Sequence, residues 1–180
     1  MSKQPHNQNC IVCATRGGEA SRAVQMEAIK QAKLQGKPLV FLYVTNPASL
    51  GELDSSLMAA VREELNWMGQ ALLHIASLRA RAAGIQAQLV VREGDVREEI
   101  VSFLRDSESC LLLLGAPRKA SFNVFGDDAV EQFAASIREK TGAEVRVIRP
   151  VPPERSLPGA EPTIKSLPAP QSEGSSKDKF

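Results

Sequence analysis

The residue types best suited to chemistry lie in one stretch. Cys110-Leu111-Leu112-Leu113-Leu114 stops at Gly115, and Ala116-Pro117-Arg118-Lys119 leads on to Gly126-Asp127-Asp128. A glycine directly after a buried apolar run lets backbone approach a ligand, and N–H groups at a following helix start can hold an anion such as phosphate. Arg118 and Lys119 add positive charge there, while Asp127 and Asp128 oppose it. Two like charges a few ångströms apart repel by about 1–4 kcal/mol in wet surroundings, and a bridging Mg²⁺ reverses that sign. A second group, Thr15 and Arg16, closes the first apolar run and offers a hydroxyl and a guanidinium to a small anion.

Other reactive side chains read as structural. Cys10 and Cys13 spell C-x-x-C, but inside Cys10-Ile11-Val12-Cys13-Ala14 they belong to a strand. Residues three apart in a strand face opposite sides, so the two sulfurs do not meet. Redox pairs of this spelling sit at helix N-termini, and Cys110, His6 and His74 supply no zinc-like spacing. His74 falls mid-helix with no acid or nucleophile beside it, which suits a structural or solvated histidine. The acidic cluster Glu93, Asp95, Glu98 and Glu99 is explained by favourable charge at a helix N-terminus. No Ser/His/Asp set assembles, and neither a P-loop nor G-x-G-x-x-G occurs.

These residues need a frame, and the hydrophobic pattern supplies one. Residues 10–14, 38–44 and 110–114 are apolar runs suited to strands buried on both faces of a parallel sheet. Residues 86–91 alternate and form a third strand in chain order, and residues 145–149 form the last. Between them, helices are predicted over about 19–35, 55–83, 95–104 and 128–140. Ala20, Val24, Ala28 and Ala32, with Ile29 beside them, mark the apolar face of the first, with Gly36 as its left-handed cap. Leu57, Val61, Leu65, Met68, Leu72 and Ile75 step by four or three residues and predict the core face of the second. Asp95 caps the third helix, with Glu98 reaching back. Val130, Phe133, Ala134 and Ile137 define the buried face of the fourth. Strand–helix alternation predicts an α/β fold: an open five-stranded parallel sheet, order 3-2-1-4-5, with helices on both faces and any ligand at the carboxyl ends of the strands.

Net charge is +1, so no broad basic surface for nucleic acid is expected, and no apolar run reaches bilayer-spanning length. The polar segment 1–8 lacks a signal-peptide core, which leads to the expectation of a cytoplasmic protein with reduced cysteines. Seven of the eleven prolines lie in residues 150–180, a Ser/Glu/Lys-containing segment expected to stay disordered. The predicted organisation is a flexible N-terminus (1–8), one domain (9–149) and this tail, in which Ser-Leu-Pro occurs at Ser156 and Ser166.

The order of elements, Val40-Phe41-Leu42-Tyr43-Val44, Glu93-Gly94-Asp95-Val96 and the Leu-rich fourth strand ending at Gly115 together resemble a universal stress protein domain over residues 8–149. The resemblance implies a five-stranded α/β sandwich in the adenine nucleotide alpha hydrolase-like, Rossmann-like group. It implies a small cytoplasmic stress-response protein, commonly a homodimer. Some members bind ATP or AMP and others do not. Binding members carry G-x-x-G, nine residues, then G-S or G-T. Here Gly115 matches the first glycine, Arg118 replaces the second, Gly126 arrives two residues early, and Asp127 replaces the hydroxyl residue. Thr15 stands where binding members place an aspartate that helps hold the adenosine, whereas Val44 matches an apolar position that touches adenine.

The leading expectation is therefore a non-catalytic stress-response or regulatory module. It would pair through the edge strand Val145–Ile148 with a second copy of itself and serve an unknown client protein. No cofactor is compelled; ATP or AMP is the candidate. The alternative is an ATP/AMP sensor using Thr15, Arg16, Val44, Gly115, Arg118, Lys119, Gly126 and Asp127. A sensor of another small anion is a third class. An adenine-nucleotide hydrolase is the enzyme reading: Arg16-Gly17-Gly18-Glu19-Ala20-Ser21 resembles the S-G-G-x-D-S loop of ATP pyrophosphatases, without its first serine and its aspartate.

Overall fold

The computed structural model describes residues 9–51, 54–116 and 127–149. Five strands, β1 (Ile11–Ala14), β2 (Leu39–Thr45), β3 (Ala87–Glu93), β4 (Leu111–Gly115) and β5 (Glu144–Ile148), alternate with α1 (Gly18–Gln35), α2 (Ser55–Ala82), α3 (Val96–Asp106) and α4 (Asp127–Thr141). All pairings are parallel, and the sheet runs β3-β2-β1-β4-β5 as expected. β1 is central: Cys13 stands opposite Phe41 on one side and Leu113 on the other. The three apolar runs are buried because helices cover both of their faces.

Side chains alternate between two cores. Val12, Val40, Leu42, Leu112 and Leu114 meet Ile100, Phe103 and Leu104 of α3 and Val130, Phe133 and Ile137 of α4. Ile11, Cys13, Phe41, Tyr43, Leu111 and Leu113 meet Val24, Ala28 and Ile29 of α1 and Leu73, Ala76 and Ala80 of α2. Cys10 lies in the first core and Cys13 in the second, so the C-x-x-C spelling is structural, as the strand period requires. Burial pushes both thiols up from their ordinary range.

Helix ends follow local chemistry. The Asp95 carboxylate accepts from the backbone N–H of Arg97 at 2.9 Å and Glu98 at 3.1 Å, and Asp54 does the same for Ser56 and Leu57 at the start of α2. The hydrogen bonds from Ser56 and Leu57 hold the Asp54 carboxyl below the usual range. Glu98 makes no return bond among the described residues. Its neighbour Glu99 turns instead towards Arg92, 3.5 Å away. Gly36 caps α1 in the left-handed region with φ 62°. His74 is exposed.

The predicted core face of α2 needs correction. Leu57, Met68 and Ile75 remain 48%, 40% and 46% exposed, and Val61, Leu65 and Leu72 are half-buried. The helix turns Gly69, Leu73, Ala76 and Ala80 to the sheet instead. Gly69 explains the rotation. A Cβ there would lie 2.8 Å from Cδ1 of the Tyr43 ring, so only glycine lets the helix axis come this close to β2. Small residues on the neighbouring turns, Ala76 and Ala80, continue the close approach.

Candidate functional site

β1 passes to β2 on one side of the sheet, while α3 leads to β4 on the other. The carboxyl ends of β1 and β4 therefore bound the crevice at the topological switch point, where ligands of open α/β sheets bind. Thr15 and Gly115 follow one position beyond Ala14 and Leu114 in this register. Thr15 extends the ladder by donating its N–H to Leu42 O at 3.0 Å, and the Ala116 N–H donates to Ile148 O at 2.9 Å.

Thr15 does not present a free hydroxyl oxygen to the crevice. It is 4% exposed, and its Oγ1 accepts from Gln25 Nε2 at 2.9 Å. Gln25, 1% exposed, accepts on Oε1 from the Arg79 Nη1 of α2. A polar chain thus runs from the end of β1 through α1 to α2, and every amide and hydroxyl in it has a partner. Gln25 and Arg79 were not singled out among the sequence candidates. Gln25 was legible: it lies three, four and seven residues before Ala28, Ile29 and Ala32, so it is a polar residue on the buried stripe of α1. Arg79 carried no such signal, because its contact spans 54 residues.

Arg16 is exposed at the crevice mouth. It lies near enough to Tyr43 to act on its phenol: burial pushes the phenol up, and the Arg16 charge pulls it down. Gly17 follows with φ 82° and α1 begins at Gly18, so the Arg16–Ser21 segment is a glycine turn running into a helix. Gly115 has a packing reason as well as a proposed ligand-binding one. A Cβ there would come 3.1 Å from Val24 Cγ2, which closes the end of β4 onto α1.

Val44 stands apart from these residues. It is half-buried and packs with Ala14 in the α3/α4 core, on the opposite face of the sheet from the Thr15 chain. Arg118, Lys119 and Gly126 lie outside the described residues, and Asp127 is described only as the first residue of α4. Thr15, Arg16 and Gly115 are thus brought to one crevice, and Val44 lies on the other face of the sheet. Among the described residues no group of three or more His, Cys, Asp or Glu could hold a metal ion. No helix among them is long and apolar enough to cross a membrane.

A sequence model described as "Universal stress protein family" matches residues 8–127. The fold is shared with a universal stress protein UspA from Lactobacillus plantarum: TM-score 0.62, 18% identity, 79% of this chain and 99% of that one. A universal stress protein from Archaeoglobus fulgidus solved in complex with dAMP gives TM-score 0.53 at 17% identity over 79% and 98% of the two chains. An Arabidopsis thaliana universal stress protein family protein solved with AMP bound gives 0.52 at 13% over 78% and 91%. A comparison with curated proteins returns no match.

Proposed function

The chain belongs to the universal stress protein family, and from that premise we propose that it acts as a non-catalytic stress-response module, paired through β5 and serving a client protein. Its working unit is residues 9–149, with residues 1–8 and 150–180 as appendages. The observation that carries this reading is the Thr15–Gln25–Arg79 chain. The end of β1, where the resemblance places an aspartate for adenosine, is here satisfied internally by the protein's own side chains. A site whose polar atoms are already paired gains little from taking up a ligand's.

Pairing through β5 is supported by the edge itself. Glu144 N donates to Cys110 O and Ile148 O accepts from Ala116 N, so the alternate residues Val145 and Val147 turn their N–H and C=O groups away from β4. The Arg138 guanidinium already donates to Val145 O, which leaves the Val147 groups as the main pairing site of the edge. Val147→Pro removes one outward donor and leaves the bonds to β4 intact. The expected result is a halved mass by light scattering with the circular dichroism unchanged. An unchanged mass rejects this pairing.

The second reading, an ATP or AMP sensor, is favoured by relatives solved with AMP and dAMP and by Gly115 and Arg16 at the switch point. Arg118, Lys119, Gly126 and Asp127 would complete that site. Calorimetric titration of nucleotide-stripped protein with ATP and AMP, with and without Mg²⁺, decides between the readings. The module reading expects no heat under any condition. Micromolar binding that Arg118→Ala weakens transfers the protein to the sensor reading, and release of phosphate from ATP overturns both.

A further inference from the structure

We propose that the exposed face of α2 is a docking surface for α2 of a second copy of this chain, in antiparallel register. Met58, Val61, Leu65, Met68, Leu72 and Ile75 are spaced 3-4-3-4-3, an unbroken heptad seam about 26 Å long at 1.5 Å per residue. The sheet takes mainly Gly69, Leu73, Ala76 and Ala80, about a quarter-turn round the helix. Of the seam, Leu72 packs against the edge of that core, Met58, Val61 and Leu65 are half-buried, and Met68 and Ile75 stay 40% and 46% exposed. Leu57, Ala71 and Leu78 border the seam on its outer side, where Leu57 is 48% and Leu78 50% exposed. The helix therefore has two apolar faces, one covered by the sheet and the other covered only in part.

The 3.5-residue repeat points to another helix as occupant, because knobs spaced this way fit the holes of a facing helix. Charge points to a second copy, reversed. Glu63 and Glu64 lie in the N-terminal half of α2, where Arg62 is engaged by Glu93 at 2.9 Å, and Arg79 and Arg81 lie in its last turn. Arg79 is the next seam position after Ile75. It is half-buried, and its hydrogen bond is to the neutral Gln25 amide, with no carboxylate within 4.0 Å among the described residues. Running a second α2 antiparallel about residue 70 layers Met68 on Leu72 and Leu65 on Ile75, and brings Arg79 to Val61 and beside Glu64 of the second copy. Helix dipoles oppose favourably in the same arrangement. A parallel pair would instead stack Arg79 on Arg79. α2 packs over β2 and β3, at the far end of the sheet from β5, so this surface is independent of the β5 pairing.

The test uses the full chain carrying Val147→Pro, which removes the β5 contact. Light scattering at high micromolar concentration is expected to show a two-chain mass that falls to one chain when Met68→Glu and Ile75→Glu are added. The thermal midpoint at low concentration should stay within a few degrees, since both side chains are already exposed. A one-chain mass before those changes, or a two-chain mass after them, overturns the proposal. Orientation is read by oxidative cross-linking in a Cys110→Ser background. Leu65→Cys protein mixed with Ile75→Cys protein should form the mixed disulfide, and Leu65→Cys protein alone should form none. Self-linking of Leu65→Cys protein would overturn the antiparallel register.

Discussion

Replacing Gln25 by leucine tests whether the polar chain at the end of β1 acts as a unit. The substitution keeps the bulk of a side chain that is 1% exposed and removes both of its hydrogen-bonding ends. Thr15 Oγ1, on a residue 4% exposed, then loses its 2.9 Å donor and keeps only the long 3.4 Å contact from the Gly17 N–H, and Arg79 loses its acceptor. A buried group left without its partner costs about 1–3 kcal/mol, while half-buried Arg79 can turn towards water at little cost. The expected loss is about 2 kcal/mol. Thr15→Val should cost a similar amount, because it strands the buried Gln25 amide instead. The double variant removes both ends of that bond and should also cost about 2 kcal/mol rather than about 4, a coupling well outside ordinary additivity. Urea unfolding at 25 °C with unchanged slopes reads all three values. Costs that add to within about 0.5 kcal/mol would refute the account, since independent sites behave that way.

Further predictions concern the nucleotide site, the core and the thiols. Thr15→Asp restores the carboxylate that the family resemblance places at the end of β1. On the sensor reading it tightens AMP binding about tenfold, about 1.4 kcal/mol, and calorimetry showing no change counts against that reading. Leu73→Ala, in the face of α2 that the sheet covers, should cost about 3 kcal/mol in urea unfolding, whereas Leu57→Ser on the same helix should stay within about 0.5 kcal/mol. Equal costs would mean that the helix faces have been misassigned. Burial raises the Cys10 and Cys13 thiols above their ordinary value of about 9, so above that pH the unfolded chain holds fewer protons than the folded one. The thiol contribution to stability is fully present below about pH 9 and falls as pH rises, by at most about 1.4 kcal/mol per pH unit for each thiol. Urea midpoints measured from pH 8 to pH 10 should fall less steeply for Cys13→Ala, and an unaltered slope would refute the assignment.

The strands and the apolar faces of α1 and α4 were legible because their signals are local. Leu111–Leu114 and Leu39–Val44 can be continuously apolar only if both faces are covered, and strand–helix alternation then leaves few topologies. Val130, Phe133, Ala134 and Ile137 are buried as their spacing predicts. The opposite orientation of Cys10 and Cys13 likewise follows from the two-residue strand period alone. At the site, Thr15, Arg16 and Gly115 were legible as the residues ending two buried strands.

Sequence alone thus determined the class of fold, the strand order and which strand ends face each other, since local periodicity marks the elements and their alternation with right-handed crossovers leaves few orders. Tertiary structure decided the face of α2 and the state of Thr15. Periodicity cannot distinguish a stripe that meets the sheet from one that meets solvent or another helix. That choice rests on Gly69 against Tyr43, a contact between residues 26 positions apart. In the same way Gln25 shows in the sequence as a polar residue on a buried stripe, but nothing local announces that it meets Thr15 or that Arg79 anchors it across 54 residues. Contacts of that separation form only when packing brings two helices onto one face of the sheet.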